Sequence, residues 1–352
     1  MSHASQLRVL FLADQFSDVG RSREIKHPGG AELTDDAAVE ACPYPLTRLR
    51  FSDFQPAVLS QHDLILLGNS QRATPAALSA IADSGRHVLF EHDLRICSLN
   101  GNFPVALDPA HRLWQRCWCP HPHLRRVFDA ARGVIFLTEL QREHYAANPF
   151  FHYPTERTAV LGCSLFNRAF FSGLTERALA QPRSGACVLG SPSVIKGTAE
   201  AASYARARGW TPRLLKDLPP AEVLSAFRTS QRLVYLPRGL EPAGRMPVEA
   251  RLNGCEVVVN AHLGVAGEAW WSRDRPAALA HLSQAPTRFW QLVTDLYEQG
   301  AYAAQAKHPA TARAAQLALS GLRRLGTNQR PRLPTLGEPR RRELAIRRYT
   351  AW

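Results

Sequence analysis

The sequence predicts an α/β protein with two doubly wound domains in series that face a central cleft, and three observations lead to this fold class. The chain has 352 residues, which suits two domains of roughly 100–200 residues each. Short continuous apolar runs alternate with helical patterns, as in parallel sheets that helices cover on both faces. The alternation occurs in each half, and the polar stretch SGLTERALAQPRSG at 172–185 separates the halves. We therefore expect domains at 1–175 and 176–325, followed by a tail at 326–352.

Each element of the first domain is predicted from a local pattern. Apolar runs such as LILLG and VIFL indicate buried strands, and Pro43 ends the first helical pattern. The predicted strands are Val9–Ala13, Leu64–Gly68, His87–Phe90 and Val134–Leu137, and the predicted helices are Ala31–Ala41, Pro75–Asp83 and Glu139–Ala147.

The second domain repeats the same alternation. The predicted strands are Cys187–Gly190, Arg213–Leu215, Leu233–Leu236 and Val257–Val259, and the predicted helices are Thr198–Arg208, Pro220–Arg228 and Pro247–Leu252. Residues 276–325 are mostly helical in pattern. The basic tail that follows is expected to be either a disordered arm or a helix that packs back onto the first domain.

Composition limits the class of protein. No apolar run reaches the roughly 20 residues that cross a bilayer, and the apolar start reads as a strand because no cleavage site follows a basic segment. Seven cysteines scattered along the chain favour reduced thiols and a cytoplasmic location over a disulfide framework. If a phage encodes the protein, the expected location is the cytoplasm of the host cell.

The charge of the chain is its most unusual feature. It carries 43 Lys+Arg against 30 Asp+Glu, a net charge of +13, and four of the basic residues are lysines, so 43 − 4 = 39 are arginines. Such a surface attracts nucleic acid or an anionic membrane. A GC-rich genome that favours arginine codons explains the same numbers, and the composition does not separate these explanations.

Two glutamates eight positions apart follow the predicted strand LVYL. Glu241 begins a loop at 241–245, and Glu249 lies early in a helix that Pro247 opens and Gly254 ends. A carboxylate there can accept hydrogen bonds from vicinal ribose hydroxyls, and the loop offers backbone N–H groups to a polyol. The plain alternative is a helix with charged residues near its start.

Lys196 and Gly197 follow the predicted strand CVLG and open a helix. A lysine at a helix N-terminus can hold a diphosphate, because the helix dipole and free N–H groups add to its charge. The alternative is a solvated lysine.

Two shorter motifs occupy corresponding places in the first domain. Gly29 and Gly30 precede a helix and let the backbone approach a phosphate or sugar closely. His92 and Asp93 directly follow the strand HVLF, where side chains of a parallel sheet point into the cleft. Both side chains are therefore candidates for a site in the cleft.

In order and strand context, these four motifs resemble those of the retaining glycosyltransferases of family 4, which have the GT-B fold of two Rossmann-like domains. The resemblance makes His92 the predicted catalytic residue, and Asp93 either orients its imidazole or contacts the acceptor of the sugar. It implies that Asp93 and Glu241 belong to the catalytic set as well. It also implies donor contacts, in which Glu249 holds the ribose, the 241–245 loop with Gly244 and Arg245 holds the sugar, and Lys196, Gly29 and Gly30 complete the site. The family commonly carries a basic residue shortly before the Lys-Gly pair, where this chain has Ser191 and Pro192; Arg245 is the candidate substitute.

The resemblance also implies a reaction. A UDP- or GDP-sugar would donate its sugar with retention of configuration, and the leaving diphosphate would take the acceptor's proton on the same face. No metal or other cofactor is expected, and the chain has no Asp-x-Asp. An NAD-dependent enzyme would need G-x-G-x-x-G after the first strand, where this chain has ADQFSDVG.

The acceptor is predicted less directly. The first domain holds an aromatic and basic region whose candidate contacts are Trp114, Arg116, Trp118, His121, His123 and Arg125. Together with the charge, this region favours a hydroxymethylated pyrimidine in DNA, and residues 87–104 resemble phage-type members of the family. A lipid-linked or lipopolysaccharide acceptor at an anionic membrane is the alternative. A non-catalytic nucleic-acid-binding protein on the same scaffold is a further one.

The stretch CWCPHPH at 117–123 raises the question of a metal site. Its cysteines and histidines alternate, whereas structural zinc usually takes two pairs of ligands from separate elements. We interpret the stretch as a rigid loop near the acceptor, and metal binding by Cys117, Cys119, His121 and His123 stays open.

Overall fold

The computed structural model describes residues 7–17, 28–97, 122–148, 155–175, 180, 182–306 and 347–349. These residues form two sheets whose strands are almost all parallel, one in each half of the chain. These two α/β domains confirm the predicted fold class.

The first sheet has six parallel strands in the order β2-β1-β3-β4-β5-β6. Its four central strands are completely buried, which explains why they read as unbroken apolar runs. The strands are β1 Val9–Ala13, β2 Leu46–Arg50, β3 Leu64–Leu67, β4 His87–Glu91, β5 Gly133–Phe136 and β6 Thr158–Val160.

The second sheet has five strands in the order β11-β10-β9-β7-β8, and only the edge strand β11 is antiparallel. The strands are β7 Ser184–Leu189, β8 Pro212–Leu215, β9 Ser230–Tyr235, β10 Glu256–Val259 and β11 Arg347–Tyr349. β11 belongs to the predicted tail, and the rest of the tail, 326–346 and 350–352, lies outside the described residues.

Helices cover both sheets, and two of them begin at a threonine, a residue type that favours the N-cap position. Thr74 and Thr138 each accept a hydrogen bond from the third residue of the helix that follows, as N-cap residues do. The helices are α1 Gly30–Glu40, α2 Pro75–Ser84, α3 Pro122–Ala130, α4 Glu139–Ala146, α5 Arg168–Ser172, α6 Thr198–Arg206, α7 Pro220–Thr229, α8 Arg245–Leu252, α9 Arg275–Ser283 and α10 Ala285–Ala306. No helix in the described part of the chain is long and apolar enough to cross a membrane.

Helix α10 belongs to the segment predicted as part of the second domain, yet it packs against the first sheet. Trp290 Nε1 donates to the Ala38 carbonyl at 2.8 Å, and the Tyr297 hydroxyl donates to the Asp63 carbonyl at 2.8 Å. Gly133 at the start of β5 leaves room for Leu296, because a Cβ there would lie 2.7 Å from its side chain. The chain therefore returns to the first sheet at 285–306, and the exact domain division stays a prediction.

The chain segment that leads from the first sheet to the second makes hydrogen bonds with residues of the second domain. Ser164 Oγ donates to the Ala243 carbonyl at 2.6 Å, and Trp270 Nε1 donates to the Gly162 carbonyl at 2.7 Å. Gly264 approaches the first domain so closely that a Cβ would lie 2.5 Å from Thr138 Oγ1. These contacts bring the loops after the strands of both sheets together.

Candidate functional site

A cavity of about 200 Å³ lies between the two sheets, where loops that follow their strands meet. Asp93 and Leu94 come from the first sheet, whereas Lys196 and Glu241 come from the second. This is where ligands bind in open α/β sheets. The lining residues are Gln71, Asp93, Leu94, Ile195, Lys196, Leu240 and Glu241. Three of the predicted site residues, Asp93, Lys196 and Glu241, are thus brought together.

Lys196 ends a short 3-10 turn that follows β7. Gly197 has φ +65°, and a Cβ there would lie only 1.8 Å from the Leu236 carbonyl oxygen. The turn is further held by the Arg238 N–H, which donates to the Ile195 carbonyl at 2.7 Å. Only glycine fits this approach, and it places the lysine beside the loop that follows β9.

Lys196 forms an ion pair with Glu241. Its Nζ lies 2.5 Å from Glu241 Oε2, and the Tyr235 hydroxyl donates to the same oxygen at 2.7 Å. Burial disfavours the ammonium, but the Glu241 carboxylate outweighs it and raises the pKa of Lys196. The lysine is therefore a positively charged group at the cavity wall, and the Glu241 carboxylate balances its charge.

The backbone around Glu241 is held by the turn after β10. The Glu241 N–H donates to the His262 carbonyl at 2.9 Å, and the Gly264 N–H donates to the Glu241 carbonyl at 2.9 Å. A Cβ on Gly264 would lie 2.4 Å from the Pro242 carbonyl oxygen, so this glycine is required for the close approach. The predicted loop at 241–245 is thus held in place by the turn after β10.

Arg245 and Glu249 pair with each other in helix α8, with 3.2 Å between Arg245 Nε and Glu249 Oε1. The guanidinium lies over the Phe166 ring at 4.2 Å and donates to the Leu165 carbonyl. Burial lowers the pKa of Arg245, and the Glu249 charge opposes that change. Neither residue lines the 200 Å³ cavity, so their part in the site stays a prediction.

The two predicted glycines lie at the start of helix α1. Gly29 is its N-cap and Gly30 its first residue, and both are exposed. A Cβ on Gly30 would lie 3.6 Å from Arg245 Cδ. The amino end of α1 therefore meets the Arg245 side chain across the cleft.

His92 is turned into the first domain. Its Nε2 lies 2.6 Å from Asp35 Oδ1 in helix α1, and the two residues are 4% and 1% exposed. Burial disfavours the charged imidazole, but the Asp35 carboxylate outweighs it and raises the pKa of His92. Of the two roles predicted for Asp93, the hydrogen bond to this imidazole nitrogen is made by Asp35 instead.

Asp93 lies one residue further along and lines the cavity. Its carbonyl accepts from Gln141 Nε2 at 2.7 Å. Burial raises the pKa of Asp93, Lys196 opposes this rise, and Glu241 adds to it. Asp93 is thus a carboxylate of the first domain that lines this cavity together with Lys196 and Glu241.

A buried polar network beneath Asp93 was missed by sequence reasoning. Gln141 Nε2 also donates to the Glu91 carbonyl at 3.2 Å, and its Oε1 accepts from the Leu137 N–H at 2.7 Å. Arg95 Nε lies 2.9 Å from Glu91 Oε1, and Tyr145 donates to the other carboxylate oxygen. The Thr138-x-x-Gln141 spacing, a capping-box signature, was the available signal for Gln141.

Most of the predicted acceptor contacts, namely Trp114, Arg116, Trp118 and His121, lie outside the described residues, as do Cys117 and Cys119. His123 and Arg125 lie on helix α3 and are exposed. Within the described ranges, no group of three or more His, Cys, Asp or Glu residues could hold a metal ion.

A second cavity of about 510 Å³ lies between the start of α4 and the end of β10. Glu139 and Glu143 line it from the first domain, and Glu268, Arg347 and Tyr349 line it from the second. None of the predicted site residues contributes to it, so it is distinct from the candidate site.

The two facing α/β domains with a site between them define a GT-B fold. Among solved structures, the fold is similar to that of AviGT4, a glycosyltransferase involved in avilamycin A biosynthesis. The TM-score is 0.50 at 14% identity, and the match covers 83% of this chain and 98% of that chain. No protein-family model matches the chain, and no curated protein sequence matches it.

Two more distant similarities have lower TM-scores. One is to Anabaena Alr3699/HepE in complex with UDP and glucose, with a TM-score of 0.42 and 16% identity over 86% of this chain and 100% of that chain. The other is to an alpha-glucosyltransferase in complex with UDP and a 13-mer DNA containing an HMU base, with a TM-score of 0.44 and 9% identity. That match covers 84% of this chain and 95% of that chain.

Proposed function

We propose that the protein transfers a sugar from a nucleotide diphosphate sugar, of the UDP or GDP type, to an acceptor hydroxyl. The observation that carries the proposal is the cavity in which Asp93 of the first domain faces Lys196 and Glu241 of the second. A charged amine and two carboxylates at the strand ends of a GT-B fold suit a ligand that combines a diphosphate with sugar hydroxyls.

Lys196 would bind the diphosphate in place of Glu241. Its ammonium is already charged and lies at the cavity wall, so it can stabilise the negative charge that develops on the leaving diphosphate. Glu241, released from the lysine, and Asp93 would then accept hydrogen bonds from sugar hydroxyls. The chain's own residues thus position the donor and stabilise the leaving group.

We propose retention of configuration, as in the glycosyltransferases of family 4 that the motifs resemble. The bond between the anomeric carbon and the diphosphate oxygen breaks while the acceptor oxygen attacks from the same face. The acceptor's proton passes to the departing diphosphate oxygen. No protein nucleophile enters this step, and the protein acts through positioning and charge.

For the acceptor, we propose a hydroxymethylated pyrimidine in DNA. The net charge of +13 supports a polyanionic partner. Helix α3 exposes His123 and Arg125 but buries Val127 and Phe128, so its apolar face is not available to a bilayer as an interfacial helix requires. A base in duplex DNA would have to be flipped out to reach the cavity.

The test is a screen of labelled UDP-, GDP- and ADP-sugars against DNA with and without hydroxymethylated pyrimidines. We expect label in the modified DNA only, and NMR of the product should show the donor's anomeric configuration. Label in lipid but never in DNA contradicts the acceptor. Absence of both binding and hydrolysis of every nucleotide sugar contradicts the activity and favours the non-catalytic alternative.

Two variants test the residue assignment. Glu249→Ala and His92→Ala should each remove transfer while circular dichroism shows an intact fold. Unchanged transfer in either variant contradicts the role assigned to that residue.

A further inference from the structure

The pair formed by Asp35 and His92 joins two elements of the first domain. The residues are 57 positions apart in the chain, and their contact distance is 2.6 Å. Both are almost completely buried. A buried carboxylate is costly unless a cation or several donors satisfy it, so this geometry favours a carboxylate facing an imidazolium.

The surroundings hold both members of the pair in place. Gly68, directly after β3, leaves space for the Asp35 carboxylate, because a Cβ there would lie 3.0 Å from Asp35 Oδ2. Trp290 of α10 holds α1 through its hydrogen bond to Ala38. The centroid of the Phe90 ring lies 4.4 Å from that of the imidazole. The carboxylate and the ring therefore have little room to turn apart.

We propose that Asp35 is a positioning residue that fixes His92 as an imidazolium behind the cavity wall, next to Asp93. His92 would then act as a permanent positive charge, and proton transfer by its ring would play no part in the reaction. The charged groups that face it are Asp35 from α1 and, from its own segment, Asp93 and Arg95. The role in sugar transfer rests on the proposed function, whereas the charge state does not.

NMR of the histidine ring nitrogens tests the charge state directly. His92→Gln assigns the His92 signals, and both ring nitrogens should be protonated at pH 7.5 in the wild-type protein. In Asp35→Asn the pKa of His92 should fall below its wild-type value, because burial of the ring then outweighs the remaining carboxylate of Asp93, and the ring should be neutral at pH 7.5. Glu40→Gln, an exposed change on the same helix, should leave them unchanged. A neutral His92 at pH 7.5 in the wild-type protein, or equal protonation in Asp35→Asn, overturns the proposal. If Asp35→Asn does not fold, the wild-type titration alone decides.

Kinetics test the positioning role. Asp35→Asn should lower kcat about ten-fold at pH 8 with little change in KM for the donor, since a displaced group beside the site costs rate more than binding. Activity should recover as the pH is lowered and the imidazole regains its proton. A loss that does not depend on pH overturns the role. Failure of the wild-type protein to use any nucleotide sugar contradicts the proposed function instead and leaves the NMR result standing.

Discussion

Two cation–carboxylate pairs near the cleft have almost the same length but very different surroundings. The His92–Asp35 contact is 2.6 Å, and its side chains are 3% and 2% exposed. The Lys196–Glu241 contact is 2.5 Å, and its side chains are 31% and 14% exposed. The first pair is sealed between α1 and the end of β4, so no ligand can replace either partner. The second opens on the cavity, where we propose that a diphosphate takes the place of Glu241.

The two pairs thus differ in exposure far more than in length. A sealed pair must keep both partners, because removal of one leaves a buried charge without compensation. A pair at a cavity wall can exchange partners with little loss, since water and the ligand share in solvating it. The first therefore suits a fixed charge and the second suits binding.

Loss of the exchangeable cation should have the largest effect. In Lys196→Met the side chain keeps its approximate size and loses its charge, and transfer should fall about 100- to 1000-fold, as for removal of one group that stabilises transition-state charge. Steady-state rates with the labelled donor measure this. Lys216→Met is the matched control, because Lys216 is exposed and lies outside the cavity lining. If both variants lose activity equally, Lys196 does not bind the diphosphate.

The next largest effect should come from the turn that places Lys196. Gly197→Ala adds a Cβ that would lie 1.8 Å from the Leu236 carbonyl oxygen, so the turn must move. We expect the free energy of unfolding to fall by about 4 kcal/mol, near the upper end for single substitutions. Gly209 has a similar φ of +72° with open space around it, and Gly209→Ala should cost only about 1 kcal/mol. Urea unfolding of both variants measures the difference. Equal losses of unfolding free energy would show that the turn at Gly197 tolerates a Cβ.

The second pair was largely predictable from the sequence, and the first was not. Lys196, Glu241 and Asp93 follow buried strands closely, and the carboxyl ends of parallel strands converge whatever the details of packing. Asp35 stands beside Asp36 in a helix, and only the packed fold reveals which carboxylate faces His92. Local pattern also says nothing about which sheet α10 covers.

Three strands, β2, β6 and β11, were not predicted from the sequence, and their composition and length explain why. β2, with the sequence LTRLR, is an edge strand that is half-buried or exposed along its length, and β6 has only three residues. Neither forms the continuous apolar run that marks a central strand. β11 is a short, arginine-rich strand, and its pairing with β10 joins distant parts of the chain.

The two histidines at the ends of β4 extend the comparison to pH. His87 is completely buried and hydrogen-bonded to the Val127 carbonyl at 2.7 Å, and burial lowers the pKa of His87 to about 4. Between about pH 6.5 and 4, the unfolded chain therefore binds a proton that the folded one does not, and stability should fall by up to about 3 kcal/mol as the pH drops.

His92 should act in the opposite direction, because its folded-state pKa is raised. Its contribution is complete below the unfolded value of about 6.5 and is lost as the pH rises through the folded value. His87→Gln should flatten the acid side of the stability curve, and His92→Gln should flatten the alkaline side. Urea unfolding from pH 4.5 to 9 measures both, and a change on the same side in the two variants contradicts the assignment.

The smallest effect should come from the support beneath Asp93. Gln141→Leu leaves the Leu137 N–H and the Asp93 carbonyl without the partner that each has at 2.7 Å. Unsatisfied buried backbone groups should lower the free energy of unfolding by about 2 kcal/mol. The turn that carries Asp93 should shift, and kcat should fall about ten-fold while KM for the donor changes little. Gln291→Leu, an exposed change on α10, is the control. If Gln141→Leu raises KM and keeps kcat, the network supports donor binding by the cavity as a whole, and Asp93 is not the group it positions.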